Sequence, residues 1–115
     1  MQKTVIFAFR GDPLCFVHVL LNALDMDGRG VAARIVMEGE AVKLVGALER
    51  EDNAFHGLWA EARAKGLVSG ACRACSAKLG ATAEVEASGL PFLDDMKGHP
   101  SIQGWKEQGY EVLIF

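Results

Sequence analysis

Cys72-Arg73-Ala74-Cys75 is the part of this sequence best equipped for chemistry. Leu67 to Ala71 reads as an apolar strand, and the pair then opens a short helix closed by Gly80. Such a junction sets the Cys72 sulfur at a helix N-terminus, where unpaired N–H groups and the macrodipole favour thiolate over thiol. Thiolates attack electrophilic sulfur and bind metals, so a low thiol pKa at Cys72 is the first expectation. Cys75 follows one helical turn later and can approach Cys72 for a reversible disulfide. The competing reading for either residue is a small buried apolar side chain.

His99 is the third candidate. It lies in Asp94-Asp95-Met96-Lys97-Gly98-His99-Pro100, where it would either take the proton of Cys72 or cap the last helix. Cys15 and His18 share a helix face, but Cys15 sits among Leu14, Phe16 and Val17, and packing is favoured. His56 is expected in solvent. Zinc could draw two sulfurs from Cys72 and Cys75 and a nitrogen from His99. A closed site needs a fourth donor, and there is no second C-x-x-C, so neither metal nor cofactor is expected. Glycine-rich phosphate loops are absent too.

These residues must be positioned by a chain of 115 residues, half of them apolar and 23% charged, enough for one domain over 1–115 with its own core. The net charge of −3, with Arg29, Arg34, Lys43 and Arg50 scattered, argues against nucleic acid or an anionic membrane as partner. The longest apolar run, Pro13 to Leu24, contains His18 and Asn22 and is too short to span a bilayer. No signal-peptide pattern precedes the first strand. With three cysteines, an odd number, a reducing cytoplasm is the expected compartment.

Lys3 to Phe9 is a continuous β-branched and aromatic strand. Asp12 caps a helix begun by Pro13, with Leu14, Val17, Leu20, Leu21 and Leu24 as its apolar stripe and Gly28 as its stop. Val31 to Met37 is a second strand and Glu40 to Leu48 a short helix. A third helix, capped by Asp52 or Asn53, carries Phe55, Leu58, Trp59 and Ala62 and ends at Gly66. After the cysteine segment, Ala81 to Ser88 is a helical turn and Leu90-Pro91-Phe92-Leu93 a brief edge strand, because Pro91 lacks a ladder donor. Pro100 begins the last helix, and Tyr110 to Phe115 is the last strand. This alternation means α/β, with a largely parallel sheet covered on both faces. Right-handed crossovers gather the strand-to-helix loops at the carboxyl edge. Arg10 to Asp12, Glu38 and Gly39, Cys72 and Cys75, and Asp94 to Pro100 should therefore meet on one rim.

With its terminal apolar strand, Gly70-Ala71-Cys72-Arg73-Ala74-Cys75-Ser76-Ala77-Lys78-Leu79-Gly80 and the tail Gly98-His99-Pro100-Ser101-Ile102 to Phe115, the chain resembles the DsrE/DsrF-like family along essentially its whole length. The resemblance implies a three-layer α/β/α sandwich with a mostly parallel five-stranded sheet, assembly into homo-oligomers, and sulfur carried as a persulfide, at Cys72. It departs from the sulfur-relay members in having Cys75 and the His99 loop. A sulfurtransferase or sulfur carrier is then expected, taking sulfane sulfur from donor proteins or small thiols and passing it to acceptors. Cys72 would be the acceptor thiolate, Cys75 the resolving thiol and His99 the third site residue, with Gly70 and Ala71 keeping the approach open. Helices Leu14–Leu24 and Phe55–Trp59 are the expected assembly surfaces. The alternatives are an oligomeric module that binds a small ligand or a metal, and a Cys72–Cys75 dithiol sensor.

Overall fold

The computed structural model describes residues 2–115. In chain order the elements are β1 (Lys3–Ala8), α1 (Pro13–Gly28), β2 (Ala32–Met37), a 3-10 turn (Gly39–Lys43) running into α2 (Leu44–Leu48), α3 (His56–Ala64), β3 (Val68–Cys72), α4 (Arg73–Lys78), α5 (Thr82–Ser88), β4 (Phe92–Leu93), α6 (Ile102–Glu107) and β5 (Glu111–Ile114). The five strands form one sheet in the order β4-β3-β2-β1-β5. Every neighbouring pair is parallel, with Ile6 of β1 opposite both Ile35 of β2 and Leu113 of β5. Among the described residues no helix is long and apolar enough to cross a membrane.

The strand order explains the layering. The connections β1→β2, β2→β3 and β3→β4 each step the same way along the sheet, so right-handed crossovers put α1 to α5 on one face. The β4→β5 connection returns across the whole sheet and puts α6 on the other. Side chains of β1 divide accordingly: Ile6 and Ala8 join the large core under α1 to α5, while Val5 and Phe7 join a smaller one with Ile102, Trp105 and Tyr110. The three layers are thus unequal.

Asp12 caps α1 as expected, its Oδ1 accepting from the Leu14 N–H at 2.8 Å, with Pro13 in the first turn. The buried stripe of α1 is not the expected one. Phe16, Val19, Leu20 and Ala23 face the sheet, whereas Leu14 is 68% and Leu21 46% exposed. The buried set follows i, i+3, i+4, i+7, and the leucine-rich set straddles that face and the solvent one. The α3 helix turns Trp59 and Ala62 inward and leaves Gly57, Ala60, Glu61 and Ala64 exposed. Trp59 is fully buried with its ring centroid 6.0 Å from that of Phe16. Trp59 is therefore used within the chain, while Phe55 and Leu58 are half-buried. His56 is not simply solvated, since its Nδ1 lies 2.8 Å from the Leu48 carbonyl oxygen.

Gly70 does not keep an approach open. A Cβ there would lie 2.5 Å from the Pro91 carbonyl oxygen and 2.9 Å from Leu93, so glycine is what lets β4 close on β3. The last helix starts at Ile102 rather than Pro100, and its cap is Ser101, whose Oγ accepts from the Gly104 N–H at 3.0 Å. His99 is therefore released from a capping role.

Candidate functional site

The carboxyl ends of β2, β3 and β4 converge as the crossover rule requires. Glu38 follows β2, Cys72 ends β3 and Cys75 lies in the first turn of α4. His99 comes from the loop between β4 and α6. Cys72 is the N-cap of α4, and its sulfur accepts from the Cys75 N–H at 3.3 Å. The helix-terminus position read from the sequence is therefore correct.

The loop that delivers His99 is tightly fastened. Met96 and His99 exchange backbone hydrogen bonds of 2.7 and 3.0 Å around Lys97 and Gly98, both at positive φ (52° and 89°). This is the geometry of a primed two-residue turn. A lysine in the left-handed region costs on the order of 1 kcal/mol or more and persists only where surrounding contacts enforce it. Those contacts are visible. The Ala74 N–H donates to the Gly98 carbonyl at 2.9 Å, closing the start of α4 onto the turn. Arg73 pairs with Asp94 at 2.8 Å and stacks over Phe92, and the Ser101 N–H donates to Asp95 at 3.0 Å. The backbone position of His99 is thus set by the fold.

Four donor atoms meet as a result. The Cys72 sulfur lies 3.1 Å from His99 Nδ1, and the Cys75 sulfur lies 3.8 Å from the same nitrogen and 3.4 Å from Glu38 Oε1. His99 Nδ1 and Glu38 Oε1 are 4.0 Å apart, and all four donors fall within 4.8 Å of one another. Glu38 and Cys72 are buried, Cys75 is half-buried, and the imidazole faces solvent. Among the described residues no lysine or arginine pairs with Glu38, whose nearest donors are a weak S–H and the imidazole.

Sequence reasoning assembled Cys72, Cys75 and His99 and placed Glu38 on the same rim, but gave Glu38 no part. A lone glutamate after a strand carries no signal of its own. Only the closeness of β2 and β3 turns it into a fourth donor.

The expected low pKa of Cys72 is overturned. Burial pushes its thiol well above the ordinary 9.0. The Cys75 N–H works in the opposite direction and is outweighed; the Cys75 thiol and the Glu38 carboxylate add to the rise. The helix terminus is present, but desolvation of a sulfur with no exposed surface is the larger effect. In the metal-free protein this raised value makes a protonated Cys72 part of the folded state. The associated stability is complete below the unfolded thiol's pKa and is lost as pH rises above it toward the folded value. Metal-free protein should therefore lose melting temperature between about pH 8 and about pH 10, and Cys72→Ala should flatten that slope relative to wild type. Parallel slopes in the two proteins would contradict the assignment.

Comparisons with known proteins bear on the fold and leave the activity open. No family model matches the chain. An uncharacterized protein of Methanocaldococcus jannaschii is 26% identical over 97 residues, 84% of this chain and 77% of that protein. A second uncharacterized protein, from Archaeoglobus fulgidus, is 35% identical over 40 residues, 35% of this chain and 66% of that protein. Among solved structures, a conserved protein of unknown function from Bacteroides thetaiotaomicron superposes with a TM-score of 0.69 at 20% identity, covering 99% of this chain and 95% of that one. That likeness shows a shared α/β fold. The Cys72–Cys75 pair is itself compatible with thiol chemistry, whatever its partner.

Proposed function

We propose that this protein binds a divalent transition metal, zinc foremost, through Glu38, Cys72, Cys75 and His99. The observation that carries the reading is the convergence of those four donors from three separate chain segments within 4.8 Å. Zinc bonds of about 2.0–2.3 Å in a tetrahedron put neighbouring donors about 3.3–3.8 Å apart. Four of the six separations, 3.1, 3.4, 3.8 and 4.0 Å, bracket that range and the others stay within 4.8 Å, so side-chain adjustments of about 1 Å or less would close the shell. Two sulfurs and an imidazole select zinc or another soft first-row ion over magnesium or calcium.

Electrostatics support the same reading. A buried carboxylate and two buried or half-buried sulfurs with no basic partner beyond one imidazole form an expensive set of acceptors. A divalent cation would offset two of the three negative charges and hold both sulfurs as thiolates, overriding the desolvation that otherwise keeps Cys72 protonated. With four protein donors the shell has no position left for a substrate, which points to a holding or structural centre rather than a hydrolytic one. Substituting cobalt(II) for zinc is the test, since its absorption reports the number of thiolates and the coordination geometry.

A second reading keeps the same residues. Dithiol or sulfane-sulfur chemistry, implied by the DsrE/DsrF-like resemblance, is favoured by the contact between Cys72 Sγ and His99 Nδ1, because an imidazole there can take the thiol's proton. In that case Cys75 is the better entry point, being half-buried where Cys72 is fully enclosed.

A further inference from the structure

A separate feature occupies the other half of the carboxyl rim. The strand order doubles back at β1, which has β2 on one side and β5 on the other. Parallel sheets bind ligands in the crevice outside the carboxyl ends of strands where the order reverses. The protein has a cleft of about 490 Å³ there, walled by Phe9, Phe16, Val19, Ile114 and Phe115, with Arg10 and His18 at its polar edge. Its volume lies within the roughly 300–1,000 Å³ of small-molecule sites.

The walls are held by backbone. The Phe9 N–H donates to the Phe115 carbonyl at 2.7 Å and the Phe115 N–H to the Phe7 carbonyl at 3.0 Å, carrying the β1–β5 ladder past the named strands. Phe9 also stacks on Phe7, with centroids 6.5 Å apart. At the mouth, Ile114 is 61% exposed, a large apolar surface that folding leaves in water.

Among the described residues, the one charged side chain that lines the cleft is basic. Arg10 enters no ion pair among the described residues, and no acidic side chain lines the cleft. Asp12 and Glu40 line a smaller neighbouring hollow that shares Phe9, Arg10 and Cys15 with the cleft, and one oxygen of the Asp12 carboxylate is already engaged by the Leu14 N–H. Arg10 thus sets a guanidinium, with His18 nearby, beside apolar walls. A guanidinium matches a carboxylate in planar, two-bond geometry, and the apolar walls match a hydrocarbon or aryl body.

We infer that this cleft binds a small amphipathic monocarboxylate, its head on Arg10 and its apolar body along Phe9, Phe16, Ile114 and Phe115. The site is independent of the four-donor cluster: none of Glu38, Cys72, Cys75 or His99 lines it.

The test uses the zinc-treated protein and two probes, octanoate and octanol, followed by amide NMR. Octanoate should bind saturably and move the amide signals of Phe9, Arg10, Ile114 and Phe115. Octanol, with the same body and no charge, should bind about tenfold more weakly, and Arg10→Gln should weaken octanoate about tenfold while leaving octanol unchanged. Arg10 is exposed, so the variant keeps the fold. Equal affinity for the two probes, or octanoate binding that Arg10→Gln does not alter, would overturn the inference in favour of a non-specific apolar surface. Unsaturable shifts would overturn it as well. Self-association that buries the same four amides and is not displaced by octanoate would assign the cleft to a second copy of the chain.

Discussion

Glu38→Ala is expected to weaken zinc binding by more than about a hundredfold, although both cysteines and the histidine remain. Substituting residues that merely hydrogen-bond to metal ligands typically costs about 10–100-fold, so removing a direct donor should exceed that range. Glu38 contributes more than one bond. It is the buried anion of the set, from a different chain segment than the cysteines, and its loss both opens the shell and reduces the negative charge facing the ion. Glu40→Ala is the control, since Glu40 is an exposed carboxylate two residues away and outside the cluster. Zinc affinity measured by competition with a chromophoric chelator should fall for the first variant and stay unchanged for the second. Because Glu38 is buried, Glu38→Gln checks the fold by preserving shape while removing charge. If Glu38→Ala binds zinc as wild type does, the carboxylate is not a ligand.

The second large effect is on thermal stability. A ligand bound only by the folded state stabilises it by about 2.7 kcal/mol when present at a hundred times its dissociation constant. For a domain near this size each kcal/mol moves the melting temperature by about 4 °C or more, so zinc should raise it by about 10 °C and a chelator should reverse the rise. The ion would link β2, β3 and the β4–α6 loop, which are far apart in sequence, so the gain should appear in the whole unfolding transition rather than in one segment. Cys75→Ser should lose the zinc-dependent increment, and Cys15→Ser, which alters a cysteine outside the cluster, should keep it. An equal zinc response in Cys75→Ser and wild type would show that zinc binds elsewhere.

Much of the architecture was legible because local signals agreed with the global fold. Continuous apolar strands at Lys3–Ala8 and Ala32–Met37, the Asp12-Pro13 start of α1 and the Cys72 N-cap each follow from a short window of sequence. The face of α1 was not, since the sheet selects between two overlapping apolar stripes and only tertiary contact decides. Gly70 was misread for a similar reason: its constraint is the Pro91 carbonyl of the neighbouring strand, more than twenty residues away. At the site, the crossover rule correctly predicted the shared rim. It could not predict depth. Cys72 is enclosed by the core that packs around the end of β3, and this reverses the thiol shift that a helix terminus alone would cause. Glu38 became a donor through proximity, which no local pattern encodes.

Four protein donors around one ion give the cobalt(II)-loaded protein a distinctive absorption spectrum. Expected are saturation at one cobalt per chain, intense visible bands of four-coordinate cobalt, and a near-ultraviolet thiolate-to-cobalt transition sized for two sulfurs, all displaced by zinc. Weak bands of six-coordinate cobalt, or no thiolate transition at saturating cobalt, would contradict the four-donor shell and leave Cys72 and Cys75 as a metal-free dithiol.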